Sequence, residues 1–276
     1  MRVELIDVAK GEGHTALAPT TLSYESGSVT LIAVETAQRP TLLALIAAGR
    51  MEPDSGTVTL TPHDAVETGD DDELRASIAI VDAPEISAPA DGLLLGGIVQ
   101  EELMFASLPS SAAAARAVLD EQGAGEYVRW PIENVPVAVR LRVLTDLASR
   151  RPDVLGLVIT SPDRHGGDPF QWYPIAEEFA GRGFAVLVIA GAASIALLDA
   201  VLPEETTPVE APAAETPDAA TAEQTAPTAK HLAPEPEPEA PAEPQPDAAF
   251  ELPWVAPATA ETPTPDSAAA AEEDAK

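Results

Sequence analysis

The chain has 276 residues, a formal net charge of −31 and no cysteine. That excludes a disulfide framework and thiol chemistry, and it disfavours nucleic acid and anionic lipid as direct partners. Residues 201–276 hold 15 of the 28 prolines and 17 acidic residues against 2 lysines. This Ala/Pro/Glu-rich end offers too little apolar surface to offset ordering entropy, so residues 203–276 read as a disordered acidic tail. Met1-Arg2-Val3-Glu4 runs into a strand without a basic-then-apolar leader, and no apolar run reaches the ~18 residues of a membrane span. The expected location is the cytoplasm.

Residues 2–8 alternate like an edge strand, with Val3, Leu5 and Ile6 among polar neighbours. Gly11 and Gly13 mark a turn. Residues 22–24 and 28–31 flank Glu25-Ser26-Gly27, a hairpin signal. Residues 29–34 are a β-rich apolar run. Residues 40–48 are Ala/Leu-rich and read as a buried helix, ending at Gly49 as C-cap glycine. Pro53-Asp54-Ser55-Gly56 is a turn into a strand at 57–60. The stretch 61–72 reads as a solvated loop, because its carboxylates lack the alternating spacing of a calcium loop. Buried strands are expected at 76–81, 154–159 and 184–190. Helices are expected at 111–123, with a Ser111 cap and a Gly123 exit, through Leu144, Leu147 and Ala148, at 170–181 and at 192–202. The pattern implies an α/β domain over residues 1–202.

The most informative stretch is 29–60: strand, loop, helix, turn, strand. Thr41-Leu42-Leu43, Ala48-Gly49, Pro53-Asp54-Ser55-Gly56 and Val58 keep the spacing of a phosphate-loop unit. Here the chain resembles the ATP-binding subunit of an ABC transporter, whose pattern is a strand, GxxGxGK[ST]TLL, a helix ending in Ala-Gly, and a PxSGxV turn. The resemblance implies a P-loop NTPase-like three-layer fold. It also implies a small antiparallel β subdomain and a helical subdomain at about 83–148. It covers roughly residues 1–200, and is most specific from Thr41 to Val58.

The loop itself departs from that pattern. Ala33, Thr36 and Gln38 fill the glycine positions, where Cβ atoms disfavour the inward-turned amides that cradle phosphate. Arg39 stands at the lysine position, with a planar guanidinium in place of a compact ammonium. Pro40 stands at the Ser/Thr position and has neither the hydroxyl for Mg²⁺ nor an N–H, though it suits a first helical turn. Glu35 adds negative charge where a triphosphate should lie. What remains of a nucleotide site is Arg39 and Thr41.

The family's other motifs are also changed. Glu12 falls where an adenine-stacking aromatic belongs, and Tyr24 reads as packing. About Asp82 replaces the Q-loop glutamine; it could meet a metal, but its hydroxyl partner is gone at Pro40. Val99, Glu102, Leu103 and Phe105 match the entry to the helical subdomain, which in the family docks the membrane subunit. Val135-Pro136-Val137-Ala138-Val139 replaces the LSGGQ signature. After the strand at 154–159, Thr160-Ser161-Pro162-Asp163 replaces Asp-Glu-Pro-Thr, so both carboxylates are lost. Asp163, beyond the proline, is expected to point elsewhere. Ser161 has no nucleophile-elbow glycines and reads as a polar strand end. His165 reads as a loop histidine rather than a ligand or base, since the four histidines show no ligand spacing. Ala190-Gly191 takes the place of the switch histidine.

Six changed positions together imply that hydrolysis is unavailable, and no metal is expected. The resemblance then implies a non-catalytic ABC-type subunit that binds a membrane-embedded or other protein partner through its helical subdomain, with an ABC-like dimer in scope. Such a protein would sit in the cytoplasm or at the inner face of the membrane. The alternative is an ATP-binding transporter subunit using an altered loop. In the tail, Phe250, Leu252, Trp254 and Val255 form one apolar island, either a short partner-binding motif or a stray apolar run.

Overall fold

The computed structural model describes residues 1–35, 39–62, 71–166, 168–201 and 209–210. All lie in one compact unit, Met1–Ala219. The strands are β1 (Arg2–Lys10), β2 (Leu17–Glu25), β3 (Val29–Ala33), β4 (Ser55–Thr61), β5 (Ile78–Val81), β6 (Gly156–Thr160), β7 (Ala185–Ala190) and the two-residue β8 (Val209–Glu210). The helices are α1 (Arg39–Ala47), α2 (Asp71–Ser77), α3 (Leu95–Phe105), α4 (Ala112–Glu121), α5 (Val137–Ser149), α6 (Pro169–Gly181) and α7 (Ala192–Asp199).

Two sheets form. The larger runs β5-β6-β7-β3-β8 with every pair parallel. Its strands are apolar without alternation because both faces are covered. Residues of opposite parity feed different cores: Leu157, Ile159, Val186 and Val188 pack against α3 to α7. Val158, Leu187 and Ile189 pack with α1 and the smaller sheet. The smaller sheet is antiparallel, in the order β2-β1-β4. Helix α1 lies between the sheets, burying Leu43, Ala44, Ile46 and Ala47. Gly49 follows it at φ +64°, the left-handed C-cap conformation that only glycine adopts without cost.

Three expectations are corrected. Residues 2–8 are not an edge strand: β1 is the middle strand, paired with β2 and β4. Its alternation comes from burying one face of a two-sided sheet, which a central antiparallel strand does as well as an edge. The turn at Glu25-Ser26-Gly27 is not a hairpin. It passes the chain from the small sheet to the large one, and the Gly27 N–H bonds to the Phe184 carbonyl. The stretch 61–72 is not loop throughout, since its last two residues begin α2, whose Leu74 is buried.

Helices α3, α4 and α5 lie between β5 and β6 and form the helical part of the fold. Ser111 caps α4 by accepting from the Ala114 N–H at 3.2 Å. None of the described helices is long and apolar enough to cross a membrane. The sequence expectations for Thr36 and Gln38, for residues 63–70 of the expected loop, and for the segment with Phe250, Leu252, Trp254 and Val255 lie outside the described residues.

Candidate functional site

Because the large sheet is parallel, β3, β5, β6 and β7 all end on the same edge. Open α/β sheets bind ligands at that edge. The chain leaves β3 at Val34-Glu35, β5 at Asp82, β6 at Ser161 and β7 at Gly191. A cavity of about 670 Å³ opens there, lined by Glu35, Thr41, Leu42, Ser161, Asp163 and Gly191 among others.

The structure separates Arg39 and Thr41, the two residues expected from the sequence to remain of a nucleotide site. Thr41 lines the cavity. Arg39 does not, and its guanidinium donates to the Thr15 carbonyl at 3.2 Å. Pro40 occupies the first turn of α1, where its missing N–H costs nothing.

Asp163 does not point elsewhere. Ser161 adopts φ +48°, a left-handed conformation unusual for a residue with a Cβ, and Pro162 opens a 3₁₀ turn. The turn brings Asp163 back to the strand edge. Its Oδ2 accepts from the Gly191 N–H at 2.9 Å and the Ser194 hydroxyl at 3.1 Å. Glu35 does the same from β3, with Oε1 accepting from the Ala192 N–H at 2.7 Å. Two carboxylates therefore satisfy the amides at the start of α7, where the free N–H groups and helix dipole favour negative charge.

Asp82 is consumed by a second cluster. It is almost fully buried, with φ +54°. Arg140 of α5 approaches it in a bidentate fork, Nε to Oδ2 at 3.0 Å and Nη2 to Oδ1 at 2.7 Å. Arg164 adds a bond to Oδ1 at 3.0 Å and another to the Asp82 carbonyl, and the His165 ring lies 3.2 Å from Oδ2. Burial by itself would raise the Asp82 pKa. Hydrogen bonds from His165 and Arg140, with the charges of Arg164 and Arg140, outweigh burial and hold it below the usual carboxylate value. His165 is thus a loop residue, as the sequence suggests, but one tied to a buried partner. Sequence reasoning missed Arg140, which is buried beside Asp82 from 58 positions away. Its one local signal is an arginine flanked by Val139 and Leu141 in α5.

Tyr24 is wholly buried, and its hydroxyl donates to the Ala47 carbonyl at 2.7 Å. Burial drives its phenol pKa well up. It is a packing residue, tying β2 to the end of α1. Among the described residues no cluster of three or more potential metal ligands occurs.

A nucleotide-free ATP-binding cassette from an ABC transporter aligns over 71% of this chain and 84% of its own length, with a TM-score of 0.50 and 16% identity. An ABC transporter ATP-binding protein from Pyrococcus furiosus aligns over 76% and 98%, with a TM-score of 0.51 and 11% identity. The fold is that of an ABC ATP-binding cassette. No protein-family model and no curated protein sequence matches the chain.

At the edge where a P-loop fold would hold phosphate, carboxylates are bonded to the amides that open α7. A P-loop fold should offer phosphate an arc of amides and a cation. Here the described part of that edge presents Glu35 and Asp163, already bonded to amides, and its cations face carbonyls or Asp82.

A second cavity, of about 360 Å³, lies beside the helical part. It is bounded by the loop after Asp82, by α3, and by Arg50 and Arg151. Ile86, Leu93 and Phe105 on its rim are 50%, 47% and 60% exposed.

Proposed function

We propose that this cassette does not hydrolyse ATP and serves as a partner-binding or regulatory subunit, in a membrane-associated, transport-related complex at the cytoplasmic face. The observation that carries this reading is the placement of Glu35 and Asp163 on the wall where a triphosphate would lie. A phosphate there would meet two carboxylates, Glu35 exposed and Asp163 half-buried, a repulsion that water and salt screen only in part. Asp82 adds no metal site, because Arg140, Arg164 and His165 occupy its oxygens. Removing a general base alone commonly costs 10²–10⁴ in rate, and here Thr160 and Ser161 also replace the carboxylates at the end of β6.

ABC cassettes pair head to tail, each site joining one subunit's phosphate loop to the other's signature. This chain has residues suited to neither, so in an ABC-like dimer it would disable both composite sites. The fold is then used for binding. The groove with Ile86, Leu93 and Phe105 on its rim supports docking of a protein partner on the helical part.

A second reading rests on Thr41, which still lines the cavity. In it ATP binds through Thr41 with Arg39 swung inward. Thermal unfolding of the full chain with saturating MgATP separates the two. A ligand at 100 times its Kd stabilises by about 2.7 kcal/mol, or about 5–10 °C for a domain of this size. The first reading expects no shift and no phosphate release. A shift abolished by Arg39→Ala would establish the second.

A further inference from the structure

The groove beside α3 has two walls, and both are tied to one buried carboxylate. We propose that the Asp82 cluster is a conformational latch, which holds those walls at one separation so that a docking partner meets a surface already formed. The inference rests on the reading above that this groove receives a protein partner, and it adds what sets the groove's shape.

The first wall is the loop after β5, which brings Ile86, Ser87, Ala88, Pro89 and Leu93 to the groove. Its root is compact. The Ala83 carbonyl accepts from the Ile86, Ser87 and Ala88 amides at 3.2, 3.0 and 2.9 Å, and the Ala83 N–H donates to Ser87 Oγ at 3.0 Å. Ala83 is fully buried, so this knot of chain hangs directly on Asp82. Asp82 and Glu85 are both left-handed, at φ +54° and +62°. Residues with a Cβ persist in that conformation where their surroundings over-determine it. At Asp82 the surroundings are explicit. Arg164 bonds both its carbonyl and its Oδ1, and Arg140 holds both carboxylate oxygens.

The second wall is α3, with Ile98, Glu101, Glu102 and Phe105. It is tied to the far end of α5, because Arg151, two residues beyond that helix, donates to Glu102 Oε2 at 2.6 Å. Helix α5 therefore carries Arg140 near its start and Arg151 just past its end. One rod joins the root of the first wall to the second wall.

The apolar packing follows the same path. Val99 and Leu103 of α3, Leu141 and Leu144 of α5, and Val81 and Ile159 of the sheet share one core. Apolar contact is non-directional and sets no register by itself. The bidentate fork does, since a guanidinium meets both oxygens of a carboxylate in one geometry. A single carboxylate also serves Arg140, Arg164 and His165. Its loss frees the loop root and α5 together, whereas loss of the Arg151–Glu102 pair frees α3 alone.

The chain has no cysteine, so a label pair can be placed cleanly. Ala90→Cys on the loop and Glu101→Cys on α3 are both exposed positions. Spin labels there report the groove's width by pulsed EPR on the full chain. One narrow distance is expected in the labelled chain, and a broadened or second distance once Asp82→Asn is added. Arg164→Gln leaves the fork in place and should broaden the distance less, which keeps a readout where Asp82→Asn fails to fold. Hydrogen exchange read by mass spectrometry separates a latch from a general stabiliser. In Asp82→Asn the amides of α3 and α5 should gain about tenfold or more in rate relative to those of β6 and β7, as loss of a charged hydrogen bond predicts. Arg151→Gln should produce that gain in α3 only. A broad distance without either latch substitution overturns the proposal. So does an unchanged width in both Asp82→Asn and Arg164→Gln, or an equal gain in all four elements. None of these readouts uses a partner or a nucleotide. A narrow groove together with a MgATP-induced rise in Tm overturns the non-nucleotide reading and leaves the latch standing, whereas a mobile groove without that rise overturns the latch alone.

Discussion

Replacing Asp82 by asparagine should be among the most damaging single changes in the domain. The Asp82 and Arg140 side chains are 2% and 3% exposed, and the fork between them joins the end of β5 to α5. Asparagine keeps the shape but removes the charge. Arg140 is then a buried cation facing a neutral amide, with Arg164 beside it and no carboxylate to balance either. Breaking a buried pair by removing one partner typically costs about 3–5 kcal/mol, or about 6–20 °C in Tm for a domain of this size. The sign with pH follows from the depressed pKa of Asp82. Its ionised form stabilises the fold fully above the unfolded-state value near 3.8. That stabilisation is lost as pH falls through the lower folded-state value. Urea unfolding of wild type and Asp82→Asn at pH 7, 5, 4 and 3 should therefore show a constant gap at the first two values that narrows at the last. A gap below 1 kcal/mol at pH 7, or one that does not narrow in acid, would refute the account. The apolar double variant Asp82→Leu with Arg140→Met should recover much of the loss, because it removes both desolvated charges together.

Two further substitutions test the packing logic. Tyr24→Phe leaves the buried Ala47 carbonyl without its side-chain donor, and urea unfolding should show a loss of about 1–2 kcal/mol. An unchanged midpoint would mean that water or relaxation satisfies the carbonyl. Gly56 and Gly13 both have positive φ, but a Cβ at Gly56 would collide with the Asp7 backbone, whereas Gly13 faces open space. Gly13→Ala should cost about 1–2 kcal/mol from backbone conformation alone, and Gly56→Ala distinctly more, since β1 and β4 must separate to admit it. Equal losses would show that the close approach is not rigid.

The outcome at the β6 end shows how far local pattern reaches. The strand, the kept Pro162 and the missing carboxylates are all legible between 154 and 163. The return of Asp163 to the strand edge is not, because it depends on a left-handed Ser161 that no residue type demands. Likewise β1 reads as an amphipathic strand at once, but periodicity records which face is buried and not how many neighbours pair along its edges. The Glu25–Gly27 turn has the right residues for a hairpin. Whether the chain reverses within one sheet or crosses to another is decided by where the larger core lies.

By itself the sequence determined the α/β layering, the buried parallel strands, the helix that follows β3 and the side chains at Ala33, Thr36 and Gln38, where a phosphate loop would carry glycine. These are properties of neighbours along the chain, since burial on one or two faces imprints a period of two, a period near 3.6 or none, and a Cβ at a glycine position acts on its own backbone. Only the tertiary structure decided what the remaining charges do. Asp82 and Arg140 are 58 residues apart, and Glu35 meets the Ala192 amide across 157. Such partnerships have no local signature, because an ion pair depends on distance in space and on the dielectric around it. Both are set once the parallel sheet has brought its four strand ends to one edge.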